Sequence, residues 1–178
     1  MLVPLQYLKE VFKIDETSKT GLRWKKRAND KCGWNKKYAN QPAGTFKLSS
    51  KGIPAWRVCL TYGGISKLYY VHRIIFYIKY GILDDSKVID HINGNPLDNR
   101  IKNLRQVTPS QNCYNSKTNK KNKLKCKNIY LGKNGKYFVK LQINNKDVYL
   151  GQYTNLKDAK KAAKEARIKY HGEFARHK

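Results

Sequence analysis

Asp90 and His91 stand side by side, Asn103 follows twelve residues after His91, and Asn112 comes nine residues later. These residue types suit hydrolysis of a phosphodiester. An aspartate offers a hard anionic oxygen and an asparagine a neutral one, a donor set for Mg²⁺, which keeps several waters and takes few protein ligands. An imidazole with an ordinary pKa of about 6.5 is largely neutral at cellular pH and can take a proton from attacking water. A divalent cation beside it would stabilise charge on the phosphate and on the leaving oxygen.

The surrounding pattern supplies elements to position these groups. Val88 to His91 reads as a strand, followed by a loop rich in Gly, Asn and Pro and a second short strand from Leu104 to Val107. A helix follows, with Thr108 as N-cap, Pro109 at its first position and Gln111 completing a capping box. Asn112 therefore falls on the first turn of a helix able to fold back toward the strand of Asp90 and His91. Upstream, residues 55–62 and 67–71 flank Gly63-Gly64 as a β-hairpin. His72 to Tyr80 follows as a helix with Ile74, Ile75 and Ile78 inward, ended by Gly81. Pro4 to Phe12 reads as a helix with Leu5, Leu8 and Phe12 on one face, and Trp24 to Gly52 as loops and short strands.

The stretch from Asp90 to Asn112 resembles the HNH, or ββα-metal, nuclease motif, most closely the form found in phage and intron-encoded homing endonucleases. That pattern runs D-H-x-[ND]-G-[ND]-x-x-[DN]-N-R-x-x-N-L-R-x-V-T-x-x-x-N, and Val71-His72-Arg73 and the segment from Gly21 to Arg27 fit its upstream parts. The resemblance implies that His91 is the general base, that Asp90 and Asn112 hold one Mg²⁺ or Mn²⁺, and that Asn103 braces the loop and orients His91. Asn112 stands where other branches carry a second histidine. Arg105 is placed on a DNA phosphate, with pairing to Asp98 as the alternative. For Arg73 and His72 a phosphate contact stands beside a structural role at the helix start, and Cys113 is assigned to packing.

Residues 116–125 are polar and basic, a run that cannot bury a face and reads as a linker. Beyond it, residues 136–143 alternate sharply, putting Tyr137, Val139, Leu141 and Ile143 on one face and Phe138, Lys140 and Gln142 on the other. Residues 144–147 turn this strand into a second one at Val148 to Gly151, with Ile129 to Leu131 as the third strand of a sheet. A helix from Leu156 to about Tyr170, capped by Asn155, presents Ala159, Ala162, Ala163, Ala166 and Tyr170 inward. Residues 127–176 resemble the plant APETALA/ethylene-response-factor DNA-binding domain, which occurs as a tail on phage HNH nucleases. By that resemblance Lys140, Gln142, Lys146 and Tyr149 contact duplex DNA, although the family's usual Arg and Trp contact residues are not retained.

The expected architecture is α+β. It comprises an HNH core in residues 1–115 (motif about 68–115) with an N-terminal hairpin and helices, a basic linker at 116–126, and a three-stranded antiparallel sheet packed on one helix at 127–178. Thirty-eight Lys+Arg against 12 Asp+Glu give a charge of +26, spread as +12 over residues 1–115 and +14 over 116–178. A surplus of this size is usually offset by a polyanion, which points to nucleic acid. Membrane partners are not expected, because no apolar run approaches the ~20 residues of a spanning helix and no strongly amphipathic basic helix stands out. Cys32, Cys59, Cys113 and Cys126 form no C-x-x-C pair, so free thiols are expected rather than a structural zinc. The N-terminus lacks the order of a signal peptide, which implies a cytoplasmic protein, in the host cell if phage-encoded. One nuclease centre per chain implies nicking by a monomer unless two copies meet on DNA. The rival readings are a DNA-binding regulator with a decayed nuclease core and an RNA-binding protein.

Overall fold

A computed structural model describes residues 3–50, 52–119 and 121–177, and the chain divides into two units, Met1–Gln106 and Val107–Lys178. Lys120 of the basic run and Met1 and Leu2 of the N-terminal stretch lie outside the described residues.

In the first unit, helix α1 (Leu5–Val11) passes directly into strand β1 (Phe12–Ile14), which pairs antiparallel with β2 (Leu22–Trp24). Phe12 thus leaves the helix expected of it. Its pairing with Trp24 brings the two rings to 4.7 Å and buries Phe12 in the core. A short helix α2 (Trp34–Tyr38) leads to β3 (Thr45–Leu48), β4 (Pro54–Tyr62) and β5 (Ile65–Tyr70), an antiparallel sheet in the order β3-β4-β5. Gly63 and Gly64 join β4 to β5 at φ 56° and 76°, the paired left-handed conformation of a two-residue hairpin turn. Helix α3 (Val71–Tyr80) buries Val71, Ile74 and Ile75 completely at spacings of three and four and ends at Gly81, φ 75°. Strands β6 (Val88–His91) and β7 (Leu104–Val107) then form a two-stranded sheet, joined by a loop and a 3₁₀ turn at Ile101–Asn103. Ile89 and Leu104 join the core that also holds Leu8, Phe12 and Leu22.

The second unit opens with helix α4 (Pro109–Tyr114), and the capping box is formed in full. Thr108 Oγ1 accepts from Gln111 N at 3.2 Å, and Gln111 Oε1 accepts from Thr108 N at 2.9 Å. Strands β8 (Ile129–Leu131), β9 (Tyr137–Ile143) and β10 (Lys146–Tyr153) are antiparallel in the order β10-β9-β8. Val139 and Leu141 pack against Ala159 and Ala163 of helix α5 (Leu156–His171), all four at 0% exposure. The turn before β10 is tighter than expected. Asn144 and Asn145 make it alone, at φ 47° and 64°, so Lys146 and Asp147 are already in the strand. The buried stripe of α5 runs Ala159, Ala163, Arg167, His171, and Tyr170 is exposed. Steps of four residues drift by about 40° on a 3.6-residue helix, so by the C-terminal turn the stripe has moved from Tyr170 to His171.

Among the described residues no helix is long and apolar enough to cross a membrane. The four cysteines are free, and Cys113, assigned to packing, lies exposed on α4.

Candidate active site

Strand β6 buries both of its polar side chains, Asp90 at 7% and His91 at 8% exposure. A carboxylate so placed needs a compensating charge, and the neighbouring strand supplies it: Arg105 Nε and Nη2 each donate to Asp90 Oδ2 at 3.0 Å. Arg105 is therefore mostly buried on Asp90 and not on Asp98, its alternative partner by sequence. Asp98 is held instead by Arg100, through Nε to Oδ1 at 2.8 Å and Nη2 to Oδ2 at 2.6 Å. That fork, with Asn93 also donating to Oδ2, holds the Asp98 carboxyl down at about 2.

Asn99 holds His91 at its Nε2. That nitrogen lies 3.1 Å from Asn99 Oδ1, and Asn99 Nδ2 donates to the Thr20 carbonyl at 2.9 Å. The Thr20 bond sets which way the Asn99 amide points, so Oδ1 faces the imidazole as an acceptor. Nε2 must then carry the proton, and Nδ1 holds the ring's lone pair. Burial pushes the His91 pKa below its ordinary value, against the opposing pull of Asn99, Asp90 and Asp98, so the neutral ring is favoured. Gly21 makes room for this arrangement. At φ 80° it is left-handed, and a Cβ there would meet Ile75 Cδ1 at 2.9 Å and Asn99 Cβ at 3.2 Å. The turn between β1 and β2 thus backs the histidine.

His72 meets the His91 ring edge-on, with centroids 4.9 Å apart at 73°. Desolvation, and secondarily the charges of His91 and Arg73, push its pKa down to about 3, so it is a neutral neighbour. Arg73 lies 3.6 Å from Asp85. Asn103 is buried and clips the loop after β6. Its Oδ1 accepts from Asn93 N at 3.0 Å, while its Nδ2 donates to Asn93 Oδ1 at 3.1 Å and to the Asp98 carbonyl at 2.7 Å. Such contacts are those of a positioning residue.

Asn112 belongs to the second unit, exposed on α4. That helix is anchored by Tyr114, whose ring stacks on His171 at 3.8 Å and 3° and whose hydroxyl accepts from Asn144 N at 2.9 Å. On the outer face of the sheet, Tyr149 pairs with Lys140 and Asp147 with Gln142, and Lys140 Nζ sits 2.7 Å from Asp147 Oδ2. Lys146, expected beside them, is opposite Ile143 and so belongs to the other face, a consequence of the two-residue turn. Sequence reading gave no role to Asn99, Gly21 or the Tyr114–His171 stack. The first two lie within the quoted motifs, where Asn99 is the asparagine before Arg100.

An aspartate and an asparagine offer oxygen donors without thiolate, a chemistry that suits a hard divalent cation better than structural zinc. Residues 69–114 match the HNH endonuclease family model. The HNH-like segment carries Asp90, His91, Asn103 and Asn112. No curated protein matches the chain. Among solved structures, the chain is similar to one described as "DNA binding and cleavage by the HNH homing endonuclease I-HmuI", at 23% identity and a TM-score of 0.41. The likeness covers 64% of this chain and 55% of that one, so it spans little more than half of that protein.

Proposed function

We propose that the chain is a metal-dependent DNA endonuclease of the HNH type, nicking duplex DNA in the manner of a homing enzyme. The observation that carries this reading is the burial of Asp90 and His91 side by side on β6 within the HNH-like segment, with Asn99 bonded to His91 Nε2. His91 takes a proton from water as the water oxygen attacks phosphorus and the P–O bond to the departing sugar oxygen breaks, and Asn99 steadies the imidazolium that forms. Asp90 and Asn112 would hold one Mg²⁺ or Mn²⁺, which supplies charge neutralisation at the phosphate and the leaving oxygen. Asn103 keeps the loop beside His91 in shape. Arg105 balances Asp90 in the protein alone, and Arg73 would meet the DNA backbone. The second unit, read as an APETALA/ethylene-response-factor-like domain, holds the duplex through Lys140, Gln142 and Tyr149.

A specific observation favours the second reading, a regulator with a decayed nuclease core: Asp90 is already neutralised by Arg105. Incubation with supercoiled plasmid separates the two. The endonuclease converts it to open circle with Mg²⁺ or Mn²⁺ and stops on chelation, while its DNA affinity persists. Tight binding with no open circle under any divalent cation would leave the regulator.

A further inference from the structure

The second unit contains a cleft of about 750 Å³ between the basic run that follows α4 and the outer face of β8 and β9. Its floor is aromatic. Tyr130 and Phe138 are register partners whose rings stack at 5.3 Å and 19°, and Tyr130 keeps 44% of its surface exposed. The wall carries Lys117, Lys121, Lys123 and Lys127, and no carboxylate is among the described residues that line the cleft. Lys127 fixes the rim, because its Nζ donates to the Tyr114 and Ser116 carbonyls at 2.6 Å each. Asn128, also in the wall, keeps Oδ1 buried without a hydrogen-bond partner among the described residues.

An open ring face between amines asks for a flat apolar ligand that carries negative charge on both sides. A paired duplex would satisfy the lysines and leave Tyr130 in water, since the faces of its bases are covered by their neighbours. An unpaired strand satisfies both, with a base on the ring and phosphates on the amines. We propose that this cleft binds unpaired DNA, stacking a base on Tyr130 while Lys117, Lys121 and Lys123 hold the flanking phosphates. The inference rests on the second unit being a nucleic-acid binder and goes beyond it in naming an unpaired strand as the ligand.

The test is fluorescence anisotropy on the full chain, in chelator, with an oligothymidylate of about 15 nucleotides, an abasic oligomer of equal length and a duplex. Base stacking on an aromatic ring corresponds to about tenfold or more in affinity. Tyr130→Ala should lose that factor on oligothymidylate and less than about twofold on the duplex. Tyr130→Phe and the control Tyr170→Ala, an exposed tyrosine outside the cleft, should stay at the wild-type value on oligothymidylate. The abasic oligomer should bind the wild type no better than oligothymidylate binds Tyr130→Ala. Replacing Lys121 and Lys123 by Ala should lower the salt slope by roughly 0.7 per lysine. Unchanged oligothymidylate affinity in Tyr130→Ala, or an equal loss on the duplex, overturns the inference alone. Failure of the wild type to bind either form overturns the nucleic-acid reading with it.

Discussion

His91 is chemically defined by what surrounds it. Because burial disfavours the imidazolium, its titration in metal-free protein, followed by the ring proton resonance, should have a midpoint below the ordinary value of about 6.5. A midpoint at or above that value would contradict the desolvated site. His72 links the same physics to stability. Its folded pKa of about 3 lies below an unfolded value of about 6.5, so between these the unfolded chain binds the extra proton. Its contribution is therefore complete above about pH 6.5 and is lost progressively as pH falls toward 3. Denaturant unfolding at several pH values should show this acid loss, and His72→Phe should flatten it. Gly21→Ala forces a side chain into a left-handed position against Asn99. It should cost on the order of 1–2 kcal/mol from the backbone alone and should also broaden the His91 resonance, which a remote turn mutation would leave sharp.

Elements whose signals are local were legible in the chain. The Thr108–Gln111 capping box, the Gly63-Gly64 turn, the Gly81 stop and the alternation of Tyr137 to Ile143 all form where local rules place them. Features set by long-range partners were not. Phe12 became a strand residue because Trp24 pairs with it, Arg105 turned to Asp90 because β6 adjoins β7, and His171 displaced Tyr170 as the stripe of α5 drifted. The clearest case is α4, a helix of 6 residues that is too short to be stable alone. It is held at one end by its cap and at the other by Tyr114 on His171. Thr108→Ala should therefore cost about 1 kcal/mol and speed amide exchange across residues 109–114. His171→Ala should speed the same amides from the other end. Unchanged exchange in both variants would mean that α4 is ordered by something else.

For the molecule as a whole, charge and connectivity bear on one another. The +26 surplus extends over both units, so affinity for DNA is expected to fall steeply with salt. Composition places a boundary near residue 116, yet Tyr114 is buried by His171 and bonded by Asn144, so the helix bearing Asn112 folds with the sheet domain. A chain cut after Asn115 should lose cleavage together with affinity. The most direct measurement is single-turnover nicking of a bound duplex by His91→Ala, with affinity measured in parallel. Nicking should drop by at least about a hundredfold, the low end for loss of a general base, with binding within about twofold of wild type. Nicking that persists at the wild-type rate would show that His91 moves no proton and that the site proposed around it is not the reactive one.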